Sequence, residues 1–499
     1  MRLLACLLLA TAALAGDPVR LIVLHTNDLH GQLRPMPPSP VRPVLRGKAA
    51  GGYAHLASMV RAIRREAAGR GAKVLLLDTG DIFQGTPIGN ETRGRAVVEA
   101  MDALGYDAGA LGNHEFDYGF ENMVELVERA SFPILAANLA GAPKLRPYVV
   151  LAPPRTPCRV AVIGVITPGT PHITTPRATE GLTFGDPVTV VRTLRKEIDA
   201  DLFIVLSHLG RADELKLARE VNGLALVVGG HSHTPFVKTV NNTLVSQTHS
   251  RGLSLGRVDL DLDASSWTVM RAEGKLLPVD PAATAPDAAV QAIIDKHGRD
   301  LDARLKRVVG RLAAPLRRAR GLVSSPAGNW MADVIRRAGQ AEVGFMNKGG
   351  IRTDLEAGDV TAGDIYRLMP FDNVVVALDL TGAELRAVLE RHFAPGRFPG
   401  MEWSGLFVEA SRRQAAGTVK ITAVTVGGRP LDATKVYRVA TNSFLAAGGD
   451  GFSTFRRGRR RARAGLVRDA LAAALKAGSP LTPPAEARLR VRVPTPKGS

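Results

Sequence analysis

The chain has 499 residues, a formal net charge of +18 and two cysteines. This length exceeds what a single hydrophobic core organises, so we expect two domains of ordinary size. The positive charge favours anionic ligands and surfaces. Aromatic residues make up only 5% of the chain, which argues against the interleaved basic and aromatic groove of a single-strand nucleic-acid binding protein. We expect no nucleic-acid partner.

Residues 1–15 have the pattern of a secretory signal peptide. An apolar run from Leu3 to Leu14 follows Met1-Arg2 and ends in the small-residue triplet Ala13-Leu14-Ala15. The run is too short to cross a bilayer, and no later segment has the roughly 18 apolar residues that a membrane span needs. We therefore expect an exported, soluble protein, periplasmic or secreted, with no transmembrane segment and acting as a monomer.

Cysteine usage narrows the chemistry further. Cys6 lies inside the predicted signal peptide, too early in the apolar run for a lipoprotein cleavage, so Cys158 is the sole cysteine of the mature chain. One cysteine cannot form an intramolecular disulfide. It also cannot build a thiolate metal site. Stability must come from packing.

From Arg20 onward, short apolar strands alternate with amphipathic helices. The helix predicted from Tyr53 to Ala68 carries its apolar residues on one face, and a second helix is predicted from Ala96 to Leu104. Strands separated by helices imply a layered α/β domain. The predicted strands are Leu21 to Leu24, Val74 to Leu77, Ala108 to Leu111, Ile134 to Ala136, Val160 to Ile163, Leu202 to Leu206 and Leu224 to Val228.

Between Pro286 and Val308 the apolar residues recur with a helical period. They form one stripe along a strongly charged segment, interrupted only by Gly298. We interpret the segment as a linker helix with Pro286 in its first turn. A second mixed α/β domain is expected beyond it. The stripe consists of Val290, Ile293, Ile294, His297, Leu301 and Leu305.

Polar side chains follow five of the predicted strands of the first domain, where open α/β sheets bind ligands. A lone histidine there is usually structural, but these positions hold five of the chain's eleven histidines. Carboxylate, imidazole and amide ligands suit Zn, Mn, Fe or similar divalent ions, and one carboxylate between two cations would bridge them. The residues are Asp28 and His30, Asp81, Asn113 and His114, His208, and His231 and His233.

Asp117 lies three residues after His114 and can orient its ring. The alternative is that Asp117 is a helix N-cap or a turn residue. The run Arg456 to Arg463 can touch phosphates or anionic lipid, although such runs are more often solvated faces.

The runs Asp28-Leu29-His30, Gly80-Asp81, Gly112-Asn113-His114-Glu115, His208 and Gly230-His231-Ser232-His233 resemble the calcineurin-like metallophosphoesterases. Three second-domain runs narrow the resemblance to the secreted 5'-nucleotidase family, which includes UDP-sugar hydrolase and 2',3'-cyclic-nucleotide 2'-phosphodiesterase. These runs are Asn347 to Arg352, Pro370 to Asn373, and Asn442 to Phe452.

The resemblance covers nearly all of the mature chain and implies an α/β fold with a definite order. A four-layer αββα metallophosphoesterase domain would occupy residues 16–285. The linker helix would occupy residues 286–308. A mixed α/β substrate-binding domain, the 5'-nucleotidase C-terminal domain, would occupy residues 309–494.

The resemblance also implies two divalent metal ions, Zn, Mn or similar. One would be held by Asp28, His30 and His233, and the other by Asn113, His208 and His231, with Asp81 bridging. Paired cations about 3.5 to 4 Å apart can generate hydroxide near neutral pH and stabilise both oxygens of an in-line displacement at phosphorus. His114, oriented by Asp117, would stabilise the phosphoryl charge or protonate the leaving oxygen.

In the second domain, the family pattern assigns phosphate or substrate binding to Asn347 and Arg352. An arginine fork fits phosphate oxygens bidentately. Phe371 and Phe444 match two rings that clamp a nucleobase, and Asp450 matches an acid that accepts ribose hydroxyls. The alternative for the two phenylalanines is core packing. In this family the second domain swings to carry substrate to the metals.

The chain departs from the family pattern in two places. No acid follows the arginines before Gly328-Asn329, so the pattern leaves open which of Arg317, Arg318 and Arg320 reaches phosphate. Asp372 stands where the family often has a small residue, and an anion beside the base pocket can alter base preference.

The predicted function is an exported dinuclear-metal phosphohydrolase acting on nucleotides. One alternative is a hydrolase of the same fold that acts on another substrate, such as a thiosulfohydrolase. The other is a non-catalytic binding protein for anionic ligands.

Overall fold

The structure is a computed structural model that describes residues 18–38, 45–152, 157–174, 176–319, 321–394, 400–412 and 418–492. The predicted signal peptide, residues 1–15, and Arg320 lie outside the described residues. Within those ranges, none of the helices combines the length and the apolar character that a bilayer crossing requires.

The first domain contains two six-stranded sheets. The first sheet has the strand order Val269–Pro278, Ser254–Leu262, Val19–Thr26, Lys73–Asp78, Ala108–Ala110 and Ile134–Leu135. The second has the order Phe236–Val240, Thr243–Gln247, Leu226–Gly229, Leu202–His208, Val160–Ile166 and Tyr148–Leu151. A small two-stranded sheet joins Leu139–Ala140 to Thr183–Phe184.

The two large sheets pack face to face because alternate residues of each strand point to opposite sides. In Val19–Thr26, Leu21 and Val23 join the core shared with the second sheet, while Ile22 and Leu24 join the core under the helices. The strand Leu202–His208 divides its side chains in the same way. Strands buried on both faces explain the continuous apolar runs in the sequence.

Helices cover the outer face of each sheet, which completes four layers. Tyr53–Gly69, Arg95–Leu104 and Phe120–Arg129 pack on the first sheet. Pro187–Glu197 and Arg211–Glu220 pack on the second. The shorter helices of this domain are Pro87–Glu91 and Thr170–Ile173, and a 3-10 turn spans His114–Phe116.

The predicted strands of this domain are confirmed with small shifts at their ends. The one expected from Leu224 begins at Leu226. The four-layer αββα arrangement is confirmed as well.

The helix between the domains spans Ala288–Lys306. Pro286 is not in its first turn, contrary to the prediction, because Asp287 caps the helix by accepting the N–H of Val290 at 3.1 Å. A Cβ at Gly298 would lie 2.1 Å from Nη2 of Arg34, so a larger residue there would displace the end of that side chain. The helix contacts helices of both domains.

The second domain is mixed α/β, as predicted. Its main sheet has the order Met401–Ser404, Val343–Asn347, Val436–Asn442, Val374–Thr381 and Arg459–Leu466. A four-stranded sheet has the order Arg429–Pro430, Val419–Val426, Leu406–Arg412 and Leu489–Arg492, and Val308–Leu312 pairs with Gly358–Thr361. The helices are Pro326–Ala338, Ala362–Leu368, Gly382–Phe393, Ser443–Ala446 and Val467–Ala477.

Candidate active site

The side chains predicted at strand ends meet at the carboxyl edge of the two large sheets. The first sheet supplies Asp28, His30, Asp81 and Asn113, and the second supplies His208, His231 and His233. Five of these residues have φ between 48° and 69°, a conformation uncommon outside glycine that concentrates at functional sites. The five are Asp28, His30, Asp81, His231 and His233.

Asp28, His30, Asp81 and His233 form a first group whose ligand atoms lie within 4.8 Å of one another. Nε2 of His30 is 3.0 Å from Nε2 of His233. Nε2 of His233 is 3.2 Å from Oδ1 of Asp28, and Nε2 of His30 is 3.9 Å from Oδ2 of Asp81. The four donors face one another, as the ligands of one cation do.

Asp81 also belongs to a second group, with His208 and His231, again within 4.8 Å. Nε2 of His208 is 3.2 Å from Oδ2 of Asp81 and 3.2 Å from Oδ1 of Asn113. Among the described residues, Asp81 alone is common to both groups. That is the position a bridging carboxylate requires.

Two of the histidines are oriented to bind a metal through Nε2. Nδ1 of His30 is 2.7 Å from the carbonyl oxygen of Gln84, and Nδ1 of His208 is 2.6 Å from that of Thr79. A carbonyl oxygen only accepts, so each Nδ1 carries the hydrogen and donates it. In the neutral ring the lone pair is then on Nε2. Imidazole, carboxylate and amide donors without thiolate fit a divalent ion such as Zn or Mn.

The electrostatics of the site also fit a cation. Burial disfavours the charged form of Asp81, but the charges of His208 and His114 outweigh it and hold the pKa of Asp81 well below its usual range. Burial likewise lowers the pKa of His208, but the Asp81 carboxylate overrides this and raises it to about 10. A carboxylate buried here requires a positive charge beside it, which a proton on His208 or a divalent cation provides.

His114 lies beside the two groups, with its ring centroid 5.3 Å from that of His30. Its Nδ1 is 2.6 Å from Oδ2 of Asp117, and Thr174 donates to Oδ1 of Asp117 at 3.0 Å. Burial lowers the pKa of His114, but the carboxylates of Asp117 and Asp81 outweigh it and raise the pKa. Asp117 therefore orients the ring and favours its protonated form.

The helix N-cap alternative for Asp117 is wrong. Asp117 ends the 3-10 turn His114–Phe116 instead of beginning a helix. The next helix, Phe120–Arg129, has Gly119 as its N-cap. The turn alternative holds, because the N–H of Asp117 donates to the carbonyl of His114 at 3.1 Å. A turn residue and a partner of the His114 ring are compatible roles.

A cleft of about 680 Å³ opens between the two domains beside this site. The first domain lines it with Asn113, His114, Asp117 and His231. All five substrate residues predicted in the second domain line the same cleft. They are Asn347, Arg352, Phe371, Phe444 and Asp450.

Asn347 and Asp450 lie in a chain of buried hydrogen bonds. Nδ2 of Asn347 donates to Oδ2 of Asp450 at 3.0 Å, and Nδ2 of Asn442 donates to Oδ1 of Asn347 at 2.8 Å. Asn442 also caps the helix Ser443–Ala446, which carries Phe444. Burial raises the pKa of Asp450 to about 6, although the bond from Asn347 acts in the opposite direction.

Arg352 and Phe371 extend from the second domain toward the metal-type groups. The guanidinium carbon of Arg352 lies 5.7 Å from the ring centroid of Phe371, which lies 6.0 Å from that of His114. Phe371 and Phe444 are partly buried and pack against core residues. Both rings therefore pack against the core of the second domain and also line the cleft, so the core-packing alternative is confirmed in part.

Two of the three arginines left open by the family pattern have different surroundings. Arg317 makes a double hydrogen bond to Glu356, at 2.7 and 2.8 Å. Arg318 donates to the carbonyl of Ile351 at 3.0 Å, and its charge acts on Arg352. Of these two arginines, Arg318 is therefore the one that lies beside Arg352, which lines the cleft.

Asp372, the second departure, is held by both domains. Oδ2 accepts from the hydroxyl of Tyr118 at 2.9 Å, and Oδ1 accepts from Nη2 of Arg468 at 2.8 Å. Its charge is therefore partly neutralised beside the cleft. The arginine run Arg456 to Arg463 begins at the end of the 3-10 helix Ser453–Arg457 and continues into the exposed edge strand Arg459–Leu466. Arg459 pairs with Glu384 at 2.9 Å.

Several cleft residues were missed in the sequence. Tyr118 and Thr167 line the cleft but carry no metal-type or family signal, and Asn373 belongs to a family run in which no role was assigned to it. Tyr118 directly follows Asp117 and Asn373 lies two residues after Phe371, so adjacency to predicted residues was the available clue. Thr167 follows the strand Val160–Ile166, where the strand-end rule applies equally.

Comparison with known proteins agrees with this geometry. The calcineurin-like phosphoesterase family model matches residues 21–235, and the model of the 5'-nucleotidase C-terminal domain matches residues 308–457. The chain therefore combines a calcineurin-like phosphoesterase domain with a 5'-nucleotidase C-terminal domain. The 5'-nucleotidase of Bos taurus is 29% identical over 88% of this chain and 85% of its own length.

Other matches extend the comparison. The trifunctional nucleotide phosphoesterase protein YfkN of Bacillus subtilis is 29% identical over 87% of this chain, but the chain spans only 32% of YfkN. The 5'-nucleotidase precursor of Thermus thermophilus superposes with a TM-score of 0.84 at 29% identity, covering 95% of this chain and 99% of the other.

The sulfate thiohydrolase SoxB of Thermus thermophilus shares the fold, with a TM-score of 0.77 at 23% identity over 94% of this chain and 96% of its own. The two family models and the candidate metal site together identify a metal-dependent phosphoester hydrolase that is similar to the 5'-nucleotidases.

Proposed function

We propose that the protein is exported and releases phosphate from nucleotides, in the manner of a 5'-nucleotidase. One observation carries the proposal. A single cleft joins the candidate metal residues to Arg352, to the phenylalanines Phe371 and Phe444, and to Asp450. These groups offer complementary contacts to the phosphate, base and ribose of one nucleotide.

In this proposal two divalent ions, Zn, Mn or similar, occupy the two groups. Asp28, His30 and His233 would hold one ion, Asn113, His208 and His231 the other, and Asp81 both. When bound, such a pair supplies Lewis-acid activation of water and neutralisation of phosphoryl charge. The backbone carbonyls of Gln84 and Thr79 keep the Nε2 atoms of His30 and His208 directed at the ions.

His114 has the role of a catalytic residue acting on the phosphoryl group or its leaving oxygen. Asp117 holds Nδ1, so a protonated His114 presents its Nε2 proton as the acidic one. Arg352 would bind phosphate oxygens with its fork, and Asn347 would contribute a polar contact beside it. The rings of Phe371 and Phe444 would bind the base, and Asp450 would accept ribose hydroxyls.

Further parts of the proposal rest on the sequence. Export is supported by the signal-type pattern of residues 1–15. We also propose the division into residues 16–285, 286–308 and 309–494, and a monomeric state. Hydrolysis of UDP-sugars or 2',3'-cyclic nucleotides is a second activity that the same cleft can serve.

The competing thiosulfohydrolase activity is favoured by the shared fold with SoxB. A thiosulfate-type substrate has no base or ribose. It therefore leaves three residues that line the cleft without a role, namely Phe371, Phe444 and Asp450. The non-catalytic alternative gives no role to His114 and Asp117. The nucleotide proposal uses all of these residues.

The test is phosphate release from a panel of nucleotides and an aryl phosphate, with added Mn or Zn. Replacing Phe371 or Phe444 by Ala should cost about 1 to 3 kcal/mol of stacking. Nucleotide kcat/KM should therefore fall roughly 5- to 150-fold, while aryl phosphate hydrolysis hardly changes. Equal losses on both substrates would identify the rings as core residues. No release from any nucleotide would reject the proposal.

A further inference from the structure

Glu214 is a fully buried carboxyl that the proposed mechanism does not use. Its side chain is 0% exposed. Its Oε1 accepts two backbone N–H groups, that of Gly210 at 3.1 Å and that of Gly230 at 2.9 Å. One oxygen atom thus connects two loops that are 20 residues apart in the chain.

The two loops carry the histidines of one candidate metal position. Gly210 lies two residues after His208, and Gly230 directly precedes His231. Both loops follow neighbouring parallel strands, Leu202–His208 and Leu226–Gly229. A displacement of either loop would therefore change the distance between the two imidazoles, whose ring centroids are 5.0 Å apart.

Helix capping explains only half of this arrangement. Glu214 lies in the first turn of the helix Arg211–Glu220, and a first-turn acid that accepts the N–H of the N-cap residue, Gly210, is an ordinary capping device. The bond to Gly230 reaches outside the helix to another strand end. Gly229 leaves room for the carboxyl group of Glu214, because a Cβ on Gly229 would lie 2.3 Å from Oε2 of Glu214.

A second buried carboxyl repeats the arrangement on the other sheet. Oε2 of Glu115 accepts the N–H of Gly112 at 2.7 Å and that of Asp81 at 3.0 Å, and Oε1 accepts the N–H of Ile82 at 2.8 Å. Glu115 therefore connects the loop of Asp81 to the loop of Asn113. Each carboxyl joins two ligand-bearing loops within one sheet.

We propose that Glu214 is a positioning residue that sets the spacing of His208 and His231 before any metal binds. The inference rests on the proposed metal centre and deepens it. Glu214 belongs to neither candidate metal group and does not line the cleft. It acts through two backbone N–H groups, so its removal should weaken the metal position of His208 and His231 more than that of Asp28, His30 and His233.

The test compares Glu214→Gln and Glu214→Leu in the full chain. Gln retains an acceptor oxygen at the same reach, and Leu does not. Glu220→Gln on the same helix is the control, because Glu220 is an exposed residue paired only loosely with Lys216 at 4.0 Å. Manganese titration without substrate should give two binding steps in the wild-type protein and in the Gln and control variants.

In Glu214→Leu one of the two steps, assigned to His208 and His231, should lose affinity roughly 10- to 100-fold, the usual effect of removing a group that orients a ligand. The other step should change little. Equal weakening of both steps, or wild-type titration of Glu214→Leu, would overturn the inference. A Glu214→Gln variant that binds manganese as weakly as Glu214→Leu would also overturn the inference.

If Glu214→Leu does not fold, hydrogen exchange of the metal-free wild-type protein provides a second test. The amides of Gly210 and Gly230 should be protected without metal and in Glu214→Gln. Rapid exchange at Gly230 would overturn the positioning role. Absence of nucleotide hydrolysis would instead reject the proposed function and leave both readouts of Glu214 unaffected.

Discussion

At the scale of single residues, the site separates groups that can hold metal from a group that can act on substrate. Asp81 shares Oδ2 between His30 and His208, while its Oδ1 accepts the N–H of His114. The ring of His114 is turned to Asp117. The candidate bridging ligand Asp81 and the candidate acid His114 thus lie side by side and are joined through the N–H of His114, while the ring of His114 is oriented by Asp117.

This separation predicts opposite behaviour of two variants. His114→Ala should retain its metals and lose activity by roughly 10²- to 10⁴-fold, the usual contribution of a general acid. Asp81→Asn should lose both turnover and bound metal, because the bridge carries a charge that both positions need. Metal analysis of each purified variant beside its kcat makes the comparison. Loss of metal with His114, or wild-type rates in Asp81→Asn, would contradict these roles.

At the scale of elements, short loops after strands decide which arginines reach the cleft. The strand Val343–Asn347 leads directly to Arg352 through a 3-10 turn. Arg317 and Arg318 are neighbours in sequence but have different partners, Glu356 and the carbonyl of Ile351. Both partners belong to the loop of Arg352, but Ile351 directly precedes Arg352 whereas Glu356 lies four residues after it.

We expect Arg318→Ala to raise KM for both a nucleotide and an aryl phosphate by about tenfold, which corresponds to ~1.4 kcal/mol. The physical reason is the loss of a positive charge that attracts phosphate beside Arg352. The matched variant Arg317→Ala should leave KM within about twofold, since that guanidinium is held by Glu356 through two hydrogen bonds, whereas Nε of Arg318 is 3.9 Å from Oδ1 of Asp354. Steady-state kinetics at low ionic strength measure both, and a reversed order would assign the phosphate contact to Arg317.

At the scale of the whole molecule, the loop that carries Phe371 is attached to both domains. Asn90 of the first domain donates to the carbonyl of Pro370 at 2.6 Å, and Tyr118 donates to Asp372 at 2.9 Å. Burial and the charge of Asp372 raise the pKa of Tyr118, so its hydroxyl remains a donor. The cleft is therefore complete only when the two domains are in contact here.

Tyr118→Phe removes only the hydroxyl and keeps the ring that packs against Phe83. A hydrogen bond to a charged acceptor contributes about 1.5 to 3 kcal/mol. We expect nucleotide kcat/KM to fall roughly 10- to 150-fold, with a smaller loss on an aryl phosphate that does not use Phe371. Tyr148→Phe, on the outer strand Tyr148–Leu151, should change neither rate. An equal effect on both substrates would show that the bond supports the metal site instead.

Much of the fold and the composition of the site followed from the sequence. Continuous apolar runs predicted strands buried on both faces, and the helix Tyr53–Gly69 followed from its apolar period. Strand ends at Asp81 and His208 indicated metal-type chemistry, because the residue type and its place on a strand are local properties. Pro286 misled for a local reason as well, since the Asp287 side chain capped the helix one residue later.

Contacts between distant segments were decided only by the tertiary structure. Asp372 and Tyr118 are 254 residues apart, and no local pattern could pair them. The same holds for Arg317 and Arg318, which are adjacent in the sequence but contact different residues of the loop that contains Ile351. Periodicity and residue type determine which side chains emerge at a strand end. Packing of two sheets and two domains determines which of them meet, because that choice depends on the folded positions of all the loops together.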